Sequence, residues 1–407
     1  FSTNRLVESE LDDFLKKAIA TVRMLAEDPC RDLPDPSRTA KNAVTGKELR
    51  LFDETYPALT SDGRLRMAID ASIFKKHCGD GLISEEGEYS DSIFDSLVID
   101  SNGLRCRHTE TSFEYGVEVT VQDADGNRYS SYWWDATPML KDLNIKDCGE
   151  TAYRRAMAQI GPVKVESGKY SMVIDSEVAS RLVTPVLNAL GGYSLQQKNS
   201  FMLDSLGKKM FPEWMNIWDR PASVGETGSR LFDSEGVATA ETPIIENGVV
   251  NEYFINTYMS KKIGIEPTIE DATRPVLLTC VAPSIASKVT STSSVTDRGS
   301  VTGQTSLVAE PVEATCGKDE LMRLVGDGIL VTGLNGGNSN SATGDFSFGV
   351  EGFLFKDGKI VHPVREMLIT GNLLTLWNNL LAAGNDARFC KSKLIPTLAF
   401  GNVDFSA

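Results

Sequence analysis

Phe113-Glu114-Tyr115-Gly116-Val117-Glu118-Val119-Thr120-Val121 sets apolar side chains at every second position, the period of a strand with one buried face. Asp125-Gly126 follows as a turn and Tyr129 to Trp134 returns as the partner, so the stretch predicts an antiparallel hairpin. Working outward, the period changes to that of helices. Leu11, Phe14, Leu15, Ala18, Ile19, Val22 and Leu25 recur at helical spacing before Pro29, which predicts an amphipathic helix over 10–28 packed on the rest of the protein. Leu65, Ile69 and Ile73 mark a second helix over 61–77, and a third is expected over 149–160, ahead of Gly161-Pro162. These elements form a first domain of mixed α/β type, residues 1–165.

Beyond that boundary a short buried strand over 170–174 feeds a helix over 176–190. Glu246-Asn247-Gly248 and Lys356-Asp357-Gly358 turn two further hairpins, and helices are expected over 318–325 and 373–383. The stretch 284–304, crowded with Ser, Thr and Gly, reads as a long loop or a set of short edge strands. Gly333 to Asn338 reads as a flexible loop beside a cleft; it lacks the Lys-Ser/Thr ending of a phosphate-binding loop. The second domain, residues 166–407, is therefore expected to be rich in antiparallel sheet, and the fold class is α+β in two domains.

Composition excludes several functions. A chain of 407 residues exceeds one core, and with no apolar run near 20 residues it neither spans nor enters a membrane. The formal charge of −15 repels phosphate backbones, so no direct nucleic-acid contact is expected. Seven cysteines without a CxxC pair read as reduced thiols, and the absence of a signal-like start at Phe1 agrees with a cytoplasmic location.

Histidine is the scarcest reactive residue. His77, His108 and His362 stand far apart and none lies in HExxH, so no single helix supplies the paired imidazoles of a zinc peptidase. His77-Cys78 reads as a helix end rather than a ligand pair. No GxSxG elbow, Ser/Lys spacing or Cys beside His supports independent nucleophilic catalysis.

Several segments nevertheless carry a pattern. Ser200-Phe201-Met202-Leu203-Asp204-Ser205-Leu206-Gly207-Lys208-Lys209, Phe232-Asp233-Ser234-Glu235-Gly236-Val237, Ile245-Glu246-Asn247-Gly248 and Thr343-Gly344-Asp345-Phe346-Ser347 occur in that order. Ile369-Thr370-Gly371-Asn372 and Gly384-Asn385-Asp386 follow. Together they resemble the TldD/TldE (PmbA) peptidase family, some of whose members carry the label modulator of DNA gyrase. In the zinc-bearing TldD branch an HExxxH helix precedes the segment matching 200–209. Here its two histidines and glutamate fall on Val183, Asn188 and Thr184, none of which supplies the missing chemistry: valine has no lone pair and threonine is no carboxylate base. The resemblance is thus to the TldE branch.

That resemblance implies a metal-free, non-catalytic subunit with no cofactor of its own, zinc being carried by a TldD-like partner. Pair and partner would act on unfolded or leader peptides, in peptide maturation or antitoxin turnover. The isolated chain is expected to form a homodimer, through second-domain sheet edges that need covering. Substrate-cleft candidates are Asp233, Glu235, Gly236, Asn335, Gly344, Asp345 and Asn372, and Cys390 is the candidate third ligand of a rebuilt site. Family members carry residues before the part matching Phe1, so the first domain is expected to lack its first strands. Two other readings are a homodimeric peptide-binding scaffold and an autonomous hydrolase built on Asp233, Glu235, Asp345 and a serine.

Overall fold

The computed structural model describes residues 1–289 and 317–407. Its first part contains α1 (Glu8–Val22), α2 (Ser61–Asp70) and α3 (Phe74–His77), then strands β1 (Leu82–Ile99), β2 (Arg105–Gln122) and β3 (Arg128–Thr137), and α4 (Lys146–Met157). The strands form one antiparallel sheet in the order β1-β2-β3. Phe113, Tyr115, Val117, Val119 and Val121 are buried as their alternation requires, and Cys148, Ala152 and Ala156 bring α4 onto that sheet. These helix residues are small and one turn apart, which lets helix and sheet approach closely.

Three features of this part differ from expectation, the first being that the helix expected over 61–77 is broken at 71–73 into α2 and α3. α1 has no buried residue, and Leu11, Leu15, Ile19 and Val22 stay exposed, so its stripe is not packed against the described residues. β1 was not foreseen, because most of its side chains are solvent-facing and it shows no clean alternation.

The second part begins with β4 (Gly168–Ile174), α5 (Ser176–Ala189) and α6 (Gly192–Gln196). A smaller sheet follows from β5 (Ile217–Asp219), β6 (Thr242–Glu246), β7 (Val249–Val250) and, after α7 (Thr257–Ile263), β8 (Pro275–Leu277). The chain continues through β9 (Cys280–Val281), α8 (Pro283–Val289), α9 (Lys318–Val325), β10 (Gly328–Ser339), β11 (Asp345–Lys356) and β12 (Lys359–Asn372). It ends with α10 (Leu373–Asn378), β13 (Leu380–Ala383) and β14 (Leu398–Ser406). The large sheet runs β12-β11-β10-β4-β14-β13-β9, and β12 also pairs with β14 from Leu368↔Ser406 to Thr370↔Asp404, which closes a barrel.

Period-two burial separates the two faces of the barrel wall. Met172, Ile174, Ile329, Val331, Leu398 and Phe400 join the main core with α5, whereas their neighbours Val173, Leu330 and Ala399 face α9 through Leu321, Met322 and Leu324. Closure covers most edges of the large sheet, so the long open edges among the described residues are β1 and β3, the outer strands of the first sheet.

Three local expectations are corrected. The stretch 373–383 is not one helix: α10 stops at Asn378 and Leu380–Ala383 is a strand held between β14 and β9. Gly333 to Asn338 is not a loop but the end of β10, paired with β11 across a bulge between Asn335 and Asn338. Gly337 sits at φ +72° where a Cβ would lie 1.9 Å from the Ser347 carbonyl oxygen, which explains the glycine. The stretch 284–304 begins within helix α8, and its remainder, like Cys316, lies outside the described residues. The cysteines among the described residues are free, and no helix among these residues is long and apolar enough to cross a membrane.

Candidate functional site

α5 starts at Asp175, whose side chain accepts the Glu177 N–H as an N-cap. Val183 lies on its core face, fully buried among apolar neighbours. Thr184 donates its hydroxyl to the Ser180 carbonyl at 2.9 Å, and Asn188 is exposed. The helix is continuous from Ser176 to Ala189 despite Pro185, so Val183 and Asn188 point to different sides. The convergence that a metal at 183 and 188 requires is therefore absent. Thr184 and Asn188, four apart, do share a face.

Cys390 is half-buried, and burial pushes its thiol up; the charges felt there are Arg388, Asp135, Lys391 and Glu177. A protonated thiol is a poor metal ligand. The three histidines stay apart: His77 ends α3 against Glu150 at 3.1 Å, buried His108 faces Glu110 at 3.1 Å, and His362 is exposed on β12. Among the described residues no group of three or more His, Cys, Asp or Glu is gathered to hold a metal ion. The described residues at and around these positions do not fit a zinc centre.

The cleft candidates fall into three places. Asp233 accepts N–H groups from Glu235, Val237 and Glu270 at 2.9, 2.9 and 3.2 Å, and burial raises its carboxyl above the ordinary range. Glu235 receives the Thr257 N–H and hydroxyl at 2.9 and 2.7 Å at the start of α7. Gly236, at φ +81°, packs where a Cβ would meet Leu104 Cδ2 at 2.3 Å, and its carbonyl takes the Ala40 N–H. This turn thus ties the N-terminal segment to the second domain.

Gly344, Asp345 and Asn372 come together elsewhere. Asn372 Nδ2 donates to the Thr343 carbonyl and to Asp345 Oδ1 at 2.7 and 3.0 Å, and its Oδ1 caps α10 by accepting the Leu374 N–H. The Asn372 and Thr343 donors hold the Asp345 carboxyl below the usual range. Gly344 approaches Phe201, which links this turn to the 200–209 segment. In both clusters the polar groups are largely engaged within the fold.

Asn335 alone among the candidates lines a cleft of about 950 Å³ between β3 and α4 on one side and the barrel on the other. Its wall is crossed by polar contacts. Asp175 meets Lys318 at 3.0 Å and Arg155 at 3.7 Å; burial opposes its ionisation, yet Lys318, the Glu177 N–H and Arg155 together hold the carboxyl below the ordinary range. Trp134 Nε1 donates to Glu177 at 2.9 Å, while Arg388 pairs with Glu177, donates to the Trp134 carbonyl and stacks on Trp133 at 4.2 Å. Sequence reasoning missed these residues because they are spread from β3 to the C-terminal part with no local motif. The adjacent Trp133 and Trp134 were the one visible signal.

A two-domain α+β chain, with a barrel, a buried motif helix and an interdomain cleft, is the class that this geometry defines. Residues 47–160 match the model of the PmbA/TldA metallopeptidase central domain and residues 167–407 that of the C-terminal domain. The chain belongs to the PmbA/TldD metallopeptidase family. It is 26% identical over 412 residues to Metalloprotease PmbA of Escherichia coli O157:H7, covering 98% of this chain and 83% of that protein. A Haemophilus influenzae homologue of PmbA is 27% identical, covering 95% and 78%. Among solved structures, a Bacteroides thetaiotaomicron protein labelled a modulator of DNA gyrase superposes with TM-score 0.87 at 38% identity, covering 100% and 85%. TldE from Thermococcus kodakarensis shares the fold at TM-score 0.76 and 18% identity, covering 98% and 85%.

Proposed function

We propose that this chain is a metal-free subunit that works beside a zinc-bearing, TldD-like family member on unfolded or leader peptides, and has no peptidase activity alone. The observation that carries the reading is α5: a core valine, a threonine bonded to its own helix and an exposed asparagine stand where the family motif would place histidine, glutamate and histidine. Hydrolysis without a metal would need an activated nucleophile, and neither turn of family residues supports one. Asp233 and Glu235 are engaged with backbone and hydroxyl donors, and the Asp345 carboxylate is held by Asn372 and Thr343. Association is supported by the open β1 edge, where Ile93, Phe94, Leu97 and Ile99 are exposed.

The test is elemental analysis and hydrolysis of an unstructured peptide, with the chain alone and with a TldD-like subunit. The expected result is no stoichiometric zinc and no cleavage alone, and cleavage only with the partner. One tightly held zinc per chain, lost with activity on chelation, overturns the reading. A stable homodimer that binds peptide and gains nothing from the partner supports the scaffold reading instead.

A further inference from the structure

The edge of β3 is open in one particular way. Asp123 N–H donates to the Asn127 carbonyl at the turn, and the pairing runs in register from Gln122↔Arg128 to Phe113↔Thr137. In such an antiparallel ladder, odd-numbered residues of β3 exchange hydrogen bonds with β2, and Ser130, Tyr132 and Trp134 turn theirs outward. Two of these outward carbonyls are occupied by side chains: Ser130 by Gln159 Nε2 at 3.0 Å, and Trp134 by Arg388. Between them Tyr132 presents both its N–H and its carbonyl with no partner among the described residues. Ser130, Tyr132 and Trp133 line the same interdomain cleft.

The cleft is large, and five carboxylates line it against four basic side chains. Its volume of about 950 Å³ lies at the top of the range for ligand sites, roughly 300–1,000 Å³. Three of the basic side chains on its wall are in ion pairs, Arg155 and Lys318 with Asp175 and Arg388 with Glu177, while Arg154 is turned to the neutral Glu150 carbonyl and Thr151 hydroxyl of its own helix. The carboxylates of Glu118, opposite Tyr132 in the ladder, and of Glu351 on the barrel wall line the cleft with no hydrogen bond or ion pair among the described residues. Apolar surface is supplied by exposed Tyr132, Ile360 and Val361.

We infer that this cleft holds an extended, basic peptide added as a strand to the edge of β3 at Tyr132, with Glu118 and Glu351 receiving its lysine or arginine side chains. The free backbone pair selects an extended main chain, and the uncommitted carboxylates select its charge. The inference rests on the peptide-handling part of the proposed function and gives that peptide a place and a sign.

The full chain is titrated by fluorescence anisotropy with a labelled octapeptide of alternating Lys and Val, with its Glu/Val counterpart, and with a Lys/Val peptide N-methylated at its central amides. Wild type is expected to prefer the basic peptide, and N-methylation to weaken it about tenfold, the loss of one or two backbone hydrogen bonds. Tyr132→Pro removes the outward N–H at an edge position where proline is tolerated, and is expected to weaken binding about tenfold, whereas Tyr132→Val, which keeps the N–H, stays within about threefold. Glu118→Gln with Glu351→Gln is expected to remove the preference for Lys over Glu peptides, with a weaker salt dependence. Equal binding of plain and N-methylated peptides, or unchanged preference in the double variant, overturns the inference while leaving the metal-free subunit reading intact. Loss of self-association in Tyr132→Pro with peptide binding unchanged assigns the edge to a second copy and also overturns it. Zinc in the purified chain sinks the subunit reading whatever the peptides do.

Discussion

The two faces of α5 differ as much as any two regions of the molecule. Ala179, Leu182, Val183, Val186 and Leu187 bury one face completely or nearly so, while on the other Asn188 stands in solvent and Arg181 reaches across to the Leu334 carbonyl. The family motif, laid on this helix, straddles that divide. Val183 and Asn188 are about 500° of helix rotation apart, hence roughly 140° around the axis, and an uninterrupted helix keeps them so. In that register the first motif position belongs to the core, and of the three only Thr184 and Asn188 share a face outside it.

The largest effect expected from this division is at the buried position. Val183→His places an imidazole where every neighbour is apolar, adding overpacking to an unpaired polar group, and should cost about 3–5 kcal/mol. Urea unfolding with an unchanged m-value measures it. A loss under about 1 kcal/mol would mean that the helix presents this position to a roomier or wetter surface.

A smaller effect is expected at the N-terminus of the same helix. Asp175→Asn keeps a good N-cap but leaves Lys318 and Arg155 without their counter-charge. About 2 kcal/mol is expected, below the cost of breaking a fully buried pair because Lys318 can turn to water. The folded-state carboxyl lies below its ordinary 3.8, so its contribution is complete above that value and is lost as pH falls through the folded pKa. Stability against pH should therefore drop less in acid for the variant than for the parent below about pH 4. Parallel curves there would show that Asp175 is not held ionised by these two cations.

How much of this was legible follows from where each signal resides. The β2–β3 hairpin was readable because one buried face imposes alternation, and α9 because Lys318–Val325 carries a helical stripe between clear ends. β13 was not, since Leu373 to Ala383 is apolar but for Thr375, Asn378 and Asn379; the partner strands β14 and β9, distant in sequence, take Leu380–Ala383 away from the helix. The glycines of β10 looked like a loop because a bulge and close strand approach need the same residue as a turn. The candidate residues show the same split. Asp233, Gly236, Gly344 and Asn372 stood out in sequence as local turn chemistry, and local turns are what they build. Glu118, Arg155, Asp175, Lys318 and Arg388 meet in the cleft only after two domains fold together, so no window of sequence contains them.

The smallest effect is the most discriminating for the register. Thr184→His with Asn188→His puts two imidazoles four apart, about 400° of rotation and so within roughly 40° of each other, on the face that the core does not use. Neither replacement disturbs a buried apolar contact, and Thr184 loses only a hydroxyl bond to its own helix. Stability without metal should change by less than about 0.5 kcal/mol. Added zinc at ten times the dissociation constant should then stabilise the variant by about 1.4 kcal/mol, since it binds the folded state alone. Val183→His with Asn188→His, the pair that the motif alignment itself dictates, should show no such gain, because its two rings diverge and one is sealed in the core. Adding Cys390→Ser to the 184/188 pair is expected to change nothing, given a half-buried thiol that burial keeps protonated. If the 183/188 pair binds zinc more tightly than the 184/188 pair, α5 must unwind near Pro185 when metal arrives, and the division of its two faces is a property of the metal-free chain alone.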